Sequence, residues 1–182
     1  SGNVQTLQDM GRLRGFGVQI LEPLRMDTAS GLNVICSSSL IRQLLEAGKV
    51  ADAAVLLTRP YKLIGKTIKG RGKGRQLGFP TANIEPKNQI VPGEGVYSGF
   101  VYVAEDFDSA IEADKKIPAA FSIGRAKTFL TDCPLLIEAH LLEGNPGELY
   151  GKYLAMDFVD RIRNQQRFGS EQELAAQIEK DC

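Results

Sequence analysis

The sequence predicts a mainly β protein, an antiparallel barrel or sandwich with a short helical segment in front of it, and three observations carry that expectation. From Tyr61 onward, short apolar runs rich in β-branched and aromatic residues alternate with Gly, Pro and Asn turns. Before Pro60 the apolar residues recur at helix spacing instead. Both faces of Val96–Val103 are largely apolar, which fits a barrel wall covered from outside.

In chain order, Asn3 to Arg14 reads as a first helix and Val18 to Leu21 as a strand. Ser37-Ser38-Ser39 supplies N-cap residues for a helix whose stripe is Leu40, Ile41, Leu44 and Leu45, with Gly48 as its C-cap. A further helix sets Val50, Ala53, Ala54 and Leu57 on one side, and Arg59-Pro60 ends it. This segment is too small to close a fold alone. The strand runs are Tyr61–Ile68, Val96–Val103, Ile117–Ile123, Leu135–Leu142 and Tyr153–Val159. Ser170-Glu171-Gln172-Glu173 has capping-box spacing, and Leu174 and Ile178 follow on one face. That last helix is the expected cover for the barrel's outer wall.

Composition excludes several classes of function. Lys plus Arg equals Asp plus Glu at 22 each, so no global charge draws the chain to nucleic acid or membrane. No apolar run approaches the roughly 18 residues of a membrane span. Cys36, Cys133 and Cys182 are far apart and form no CxxC pair, which suits a reducing cytoplasm. His140 is the single histidine, which removes His-His metal sites and nucleotidyl transfer through an HxGH motif.

The chemistry concentrates between Gly70 and Asn83, in the stretch GRGKGRQLGFPTAN. Gly65-Lys66-Thr67 imitates the end of a phosphate-binding P-loop, but Pro60 stands where that motif needs its first glycine. Gly72 and Gly74 open a dinucleotide fingerprint that fails at Leu77. Between Tyr61 and Asn88 the cations are Lys62, Lys66, Lys69, Arg71, Lys73, Arg75 and Lys87, against Glu85 alone. Glycines let backbone N–H groups crowd an anion, so the window suits phosphate. Pro80 favours extended backbone at Phe79, and Thr81 and Asn83, two apart, then share a face. Both offer neutral oxygens of the kind Mg²⁺ accepts beside phosphate and water. In Leu136-Ile137-Glu138-Ala139-His140-Leu141-Leu142, alternation puts Glu138 and His140 on one face. A carboxylate in such a run is either partnered, with His140 the nearest candidate, or functional. A different reading of the same charge is a non-catalytic barrel that binds nucleic acid. Its aromatic stacking residues near the cations would be only Tyr61 and Phe79.

Read as a whole, Gly65–Asn83 resembles the signature of riboflavin kinases, or flavokinases. The resemblance continues through Gly95-Val96-Tyr97, Ser122-Ile123-Gly124, Glu138-Ala139-His140, Leu149-Tyr150-Gly151 and Arg161-Ile162-Arg163 to Phe168, Ser170, Glu173 and Leu174. It covers residues 61 to 182. It implies a six-stranded antiparallel Greek-key barrel with a C-terminal helix, and phosphoryl transfer from MgATP to the ribityl 5′-hydroxyl of riboflavin, giving FMN. By the same resemblance Glu138 is the general base, and Thr81 and Asn83 hold Mg²⁺ with the nucleotide. Gly70, the glycine backbone after it and Arg75 meet the phosphates. Leu141, through its backbone, and Tyr150 line the ATP site, while Arg163 and Glu173 meet the flavin. Small molecules are then the expected partners, with neither nucleic acid nor membrane, in the cytoplasm.

Residues 1 to 60 are similar to the tail of the adenylyltransferase module that precedes the kinase in bacterial bifunctional FAD synthetases. The motifs are Ser37-Ser38-Ser39-Leu40-Ile41-Arg42, Leu44-Leu45 with Gly48, Ala53-Ala54 and Arg59-Pro60-Tyr61. That module's front half is missing, so no adenylyl transfer is expected of this chain. Lys127 replaces a common proline, Ser122 a common Asn and Ser39 a common Thr.

Overall fold

A computed structural model of the chain describes residues 3–69, 81–125, 135–143, 147–166 and 177. Helix α1, Val4–Arg14, begins where the Asn3 side chain accepts from the Thr6 N–H, and ends at Gly15 in the left-handed region. Val18 to Leu21 forms no strand. The pairing in this part of the chain is a small hairpin, β1 (Arg25–Asp27) with β2 (Asn33–Ile35). A strand needs a partner and a turn as well as an apolar run. The turn is supplied by Thr28, Ser30 and Gly31, and Asp52 anchors it by accepting from the Ser30 N–H at 2.7 Å and the Ser30 hydroxyl at 3.0 Å.

Helix α2 is Ser38–Glu46, with Ser37 accepting from the Leu40 N–H; α3 is Val50–Leu57, closed by Thr58 in the left-handed region. Gly48 sits between them at φ 73°. On α3 the buried stripe is Val50, Ala53 and Leu56, with Leu57 half-buried rather than central.

The rest of the described chain is a closed antiparallel barrel. Its strands are β3 (Tyr61–Ile68), β4 (Thr81–Pro86), β5 (Gly95–Ala104), β6 (Lys116–Arg125), β7 (Leu135–Leu141) and β8 (Tyr153–Arg163), arranged β3-β4-β7-β6-β5-β8 and back to β3. β5, β6 and β7 follow one another as hairpins and β4 returns beside β7, which is a Greek key. The sixth strand, β4, was not among the apolar runs, because Thr81, Asn83 and Glu85 leave only Ala82 and Ile84 to face the core.

The interior is filled by Leu63, Tyr97, Val101, Phe121, Ile123, Ile137, Leu154, Met156 and Phe158. Phe158 packs against Phe121 with the rings tilted and meets Tyr97 edge-on. Leu45, Val50 and Ala53 belong to the same cluster, so α2 and α3 stop one end of the barrel. Arg161 on β8 ties that plug down by donating to the carbonyls of Ala47 and Glu94. At Gly99 the β5 and β8 backbones lie so close that a Cβ would run into the Asp157 carbonyl oxygen, so only glycine fits.

A short helix absent from the sequence expectations, α4 (Phe107–Glu112), covers part of the outer wall. Asp106 caps it and buried Ala110 packs with Ile64, Ala104 and Ala155. Six residues are too few to show a helical period. The expected last helix, including Ser170, Leu174 and Ile178, lies outside the described residues except for Gln177, which is helical.

Candidate active site

On β7, Ile137, Ala139 and Leu141 are buried in the core. Alternation therefore sends Glu138 and His140 to the outer wall. On β4, Ala82 and Ile84 are buried and Thr81 and Asn83 share the outer face. The barrel register brings the two pairs together: Thr81 lies opposite His140 and Asn83 opposite Glu138.

The line through Asn83 and Glu138 continues in both directions. Asn83 is also opposite Ile68 on β3. Glu138 is opposite Ser122 on β6, Ser122 is opposite Val96 on β5, and Val96 is opposite Arg163 on β8. One slanted band on the outer wall thus carries, in order, Asn83, Glu138, Ser122, Val96 and Arg163. With strands about 4.8 Å apart, Arg163 stands roughly 14 Å along the wall from Glu138. The slant follows from barrel closure, which requires the strands to tilt and the register to stagger.

Burial pushes the Glu138 carboxyl above the usual glutamate range. Among the described residues it has no hydrogen bond or ion pair. His140 is engaged instead by Thr81, with Thr81 Oγ1 3.0 Å from His140 Nδ1. In the tautomer with a bare Nδ1 the hydroxyl donates to the ring. Asn83 and Thr81 are then two neutral, hard oxygen donors on one face. They fit Mg²⁺ that arrives with a phosphate chain and keeps waters for the rest of its shell. Among the described residues no group of three or more His, Cys, Asp or Glu could hold a metal by itself.

The turn that carries Tyr150 is pinned to β3. The Gly151 N–H donates to the Thr67 carbonyl at 3.1 Å, and the Thr67 N–H to the Lys152 carbonyl at 2.8 Å. Tyr150 is exposed beside the end of β3, where the glycine-rich stretch departs. The Leu141 side chain is in the core, which leaves its main chain as the part that a ligand on the outer wall would meet. Gly70, Arg75 and Glu173 lie outside the described residues.

Gln165, which sequence reasoning did not single out, closes the Arg163 end of the band. Its Nε2 is 3.0 Å from Ser122 Oγ, 2.9 Å from the Ile123 carbonyl and 3.2 Å from the Gly95 carbonyl. No local pattern signals it, because its partners come from two other strands. A cavity of about 600 Å³ opens elsewhere on the wall, lined by Lys66, Glu85, Lys87, Phe107 and Tyr153 among others, and contains none of the expected site residues.

Comparison with known proteins bears on the same residues. The family model described as "Flavokinase: Riboflavin kinase" matches residues 57–182. A bifunctional riboflavin kinase/FMN adenylyltransferase of Pseudomonas fluorescens is 34% identical over 180 residues, 99% of this chain and 53% of that protein. The protein of the same description from Bacillus subtilis (strain 168) is 38% identical over 148 residues, 80% of this chain and 44% of that protein. The chain therefore spans about half the length of the curated relatives it matches. Among solved structures, one described as a macrolide-efflux protein from Streptococcus pneumoniae aligns with TM-score 0.80 at 27% identity. That alignment covers 99% of this chain and 53% of that one. Among the described residues, no helix is long and apolar enough to cross a membrane.

Proposed function

The chain belongs to the flavokinase, or riboflavin kinase, family, and from that membership we propose that it transfers the γ-phosphoryl group of MgATP to the ribityl 5′-hydroxyl of riboflavin, giving FMN and ADP. The observation that supports this most is the order of residues along the outer band. Thr81 and Asn83, suited to the nucleotide, stand on one side of Glu138, and Arg163, suited to the flavin, stands on the other. A phosphoryl donor and an acceptor alcohol bound at the two sides would meet beside the carboxyl group, as in-line transfer requires.

Glu138 acts as general base. It accepts a hydrogen bond from the 5′-hydroxyl, orients its oxygen toward the γ-phosphorus, and takes the proton late, when bond formation has made it acidic. Burial raises the carboxyl group's affinity for that proton. Thr81 and Asn83 hold Mg²⁺ with the nucleotide, and the ion supplies charge neutralisation on the phosphate chain. His140 orients Thr81. Backbone N–H groups from Gly70 onward and Arg75 meet the phosphates, Tyr150 and the Leu141 main chain line the ATP site, and Arg163 and Glu173 meet the flavin. We assign residues 61–182 to the kinase and residues 1–60 to the tail of an adenylyltransferase-like module, the whole working in the cytoplasm.

The test is direct. The 182-residue chain, incubated with riboflavin and MgATP, should yield FMN by chromatography, and chelation of the magnesium should stop it. No FMN under saturating substrates would overturn the proposal.

A further inference from the structure

Gln165 follows β8 and reaches back across the ends of β5 and β6. The orientation of its amide is decided by its surroundings. The atom facing the Ile123 and Gly95 carbonyls must donate, because an oxygen there would oppose two oxygens. The same Nε2 lies 3.0 Å from Ser122 Oγ. The two amide protons serve these three acceptors, so one is shared; the nitrogen has no lone pair to offer, so Ser122 accepts and the serine proton points elsewhere. Among the described residues Gln165 is the only hydrogen-bond partner of the Ser122 hydroxyl. Its two cross-strand neighbours on the outer wall are Val96, which has no acceptor side chain, and Glu138, which has. Directly opposed residues of antiparallel strands hold their Cβ atoms about 4.5–5.5 Å apart, within reach of a serine–glutamate contact or of one alcohol held between them.

We propose that Ser122 is a positioning residue for phosphoryl transfer: Gln165 occupies its acceptor side and thereby directs its hydroxyl proton toward Glu138 and the alcohol oxygen that Glu138 holds. The inference rests on the reading of Glu138 as general base. It gives Ser122 a role in the direction of one proton rather than in riboflavin affinity. It also makes Gln165 act through Ser122 and not on its own.

The experiment is a double-mutant cycle on the full chain, reading kcat, the KM for riboflavin and melting temperature. Ser122→Ala should lower kcat about tenfold, the scale of one hydrogen bond to a charged group, with the riboflavin KM changed less than about threefold. Ser122→Thr keeps the hydroxyl and should recover most of the loss. Gln165→Ala should lower kcat by a similar factor alone and add little in the Ser122→Ala background. In the Glu138→Gln background, Ser122→Ala should again add little. Multiplicative losses from Ser122 and Gln165, a Ser122→Thr variant as slow as Ser122→Ala, or wild-type kcat in a folded Ser122→Ala would each overturn the inference while leaving the kinase reading intact. A folded wild-type chain that makes no FMN overturns that reading and this inference with it.

Discussion

At Glu138 a carboxyl group is half-buried without a partner among the described residues, and folding resists its ionisation. The sign of the effect on stability follows. Its folded pKa lies above its unfolded one, so the folded state holds the proton more tightly. Stability therefore falls as pH rises through the ordinary glutamate value of about 4.3, and the loss is complete above the folded value. Glu138→Gln removes the charge. It should melt above the wild type at neutral pH and lose that advantage below about pH 4. The same variant keeps the shape but not the basicity, so kcat should drop by about two orders of magnitude or more, with riboflavin binding little changed. A variant that melts lower and turns over normally would make Glu138 a structural residue. For Asn83→Ala the expected change is in MgATP use, a raised KM for MgATP with riboflavin binding spared; identical kinetics across a magnesium titration would remove Asn83 from the site. That Thr81 shares a face with Asn83, and Glu138 with His140, was legible from strand alternation, while their proposed roles came from the resemblance. The Thr81–His140 pair and the Gln165–Ser122 contact were not legible, because they depend on which strands neighbour each other.

Among elements, α2 and α3 matter more to the barrel than their place ahead of it suggests. Leu45, Val50 and Ala53 are packed in the barrel's own core. Leu45→Ala should cost about 2–4 kcal/mol of unfolding free energy, read from denaturant titration. Truncation before Ser37 leaves this plug in place and should preserve kinase turnover. Truncation through Thr58 exposes the ends of the core and should abolish cooperative unfolding. The run Tyr61–Ile68 was read with the bounds the strand has, because its β-branched and apolar residues end at a charged, glycine-rich stretch. β4 and α4 escaped for opposite reasons. β4 carries too many polar side chains, the very ones proposed for the site, and α4 is too short for a period. The hairpin of β1 and β2 depends on Asp52, twenty-two positions from Ser30, and no local pattern encodes that contact.

For the whole molecule, the exposed apolar residues gather in the first part of the chain. Leu13 is 84% exposed, Leu21 80% and Leu24 63%, far above the core. Such surface favours association, so the truncation before Ser37 should also stay monomeric at higher concentration, measurable by light scattering. The chain should form no FAD from FMN and ATP, since only one histidine is present and no HxGH motif exists; FAD production by the pure chain would overturn the assignment of residues 1–60. The closed barrel has a further consequence, for the order of events in folding. Its last seam joins Tyr61 to Phe158, near the two ends of the barrel's sequence, and the outer band takes one residue from each strand in turn. No hairpin holds the site by itself. Contacts this distant in sequence form slowly, because loop closure precedes any gain from them. Catalytic competence should therefore return with the slowest refolding phase, after tyrosine fluorescence has begun to recover, and a nascent chain should have none until β8 has left the ribosome.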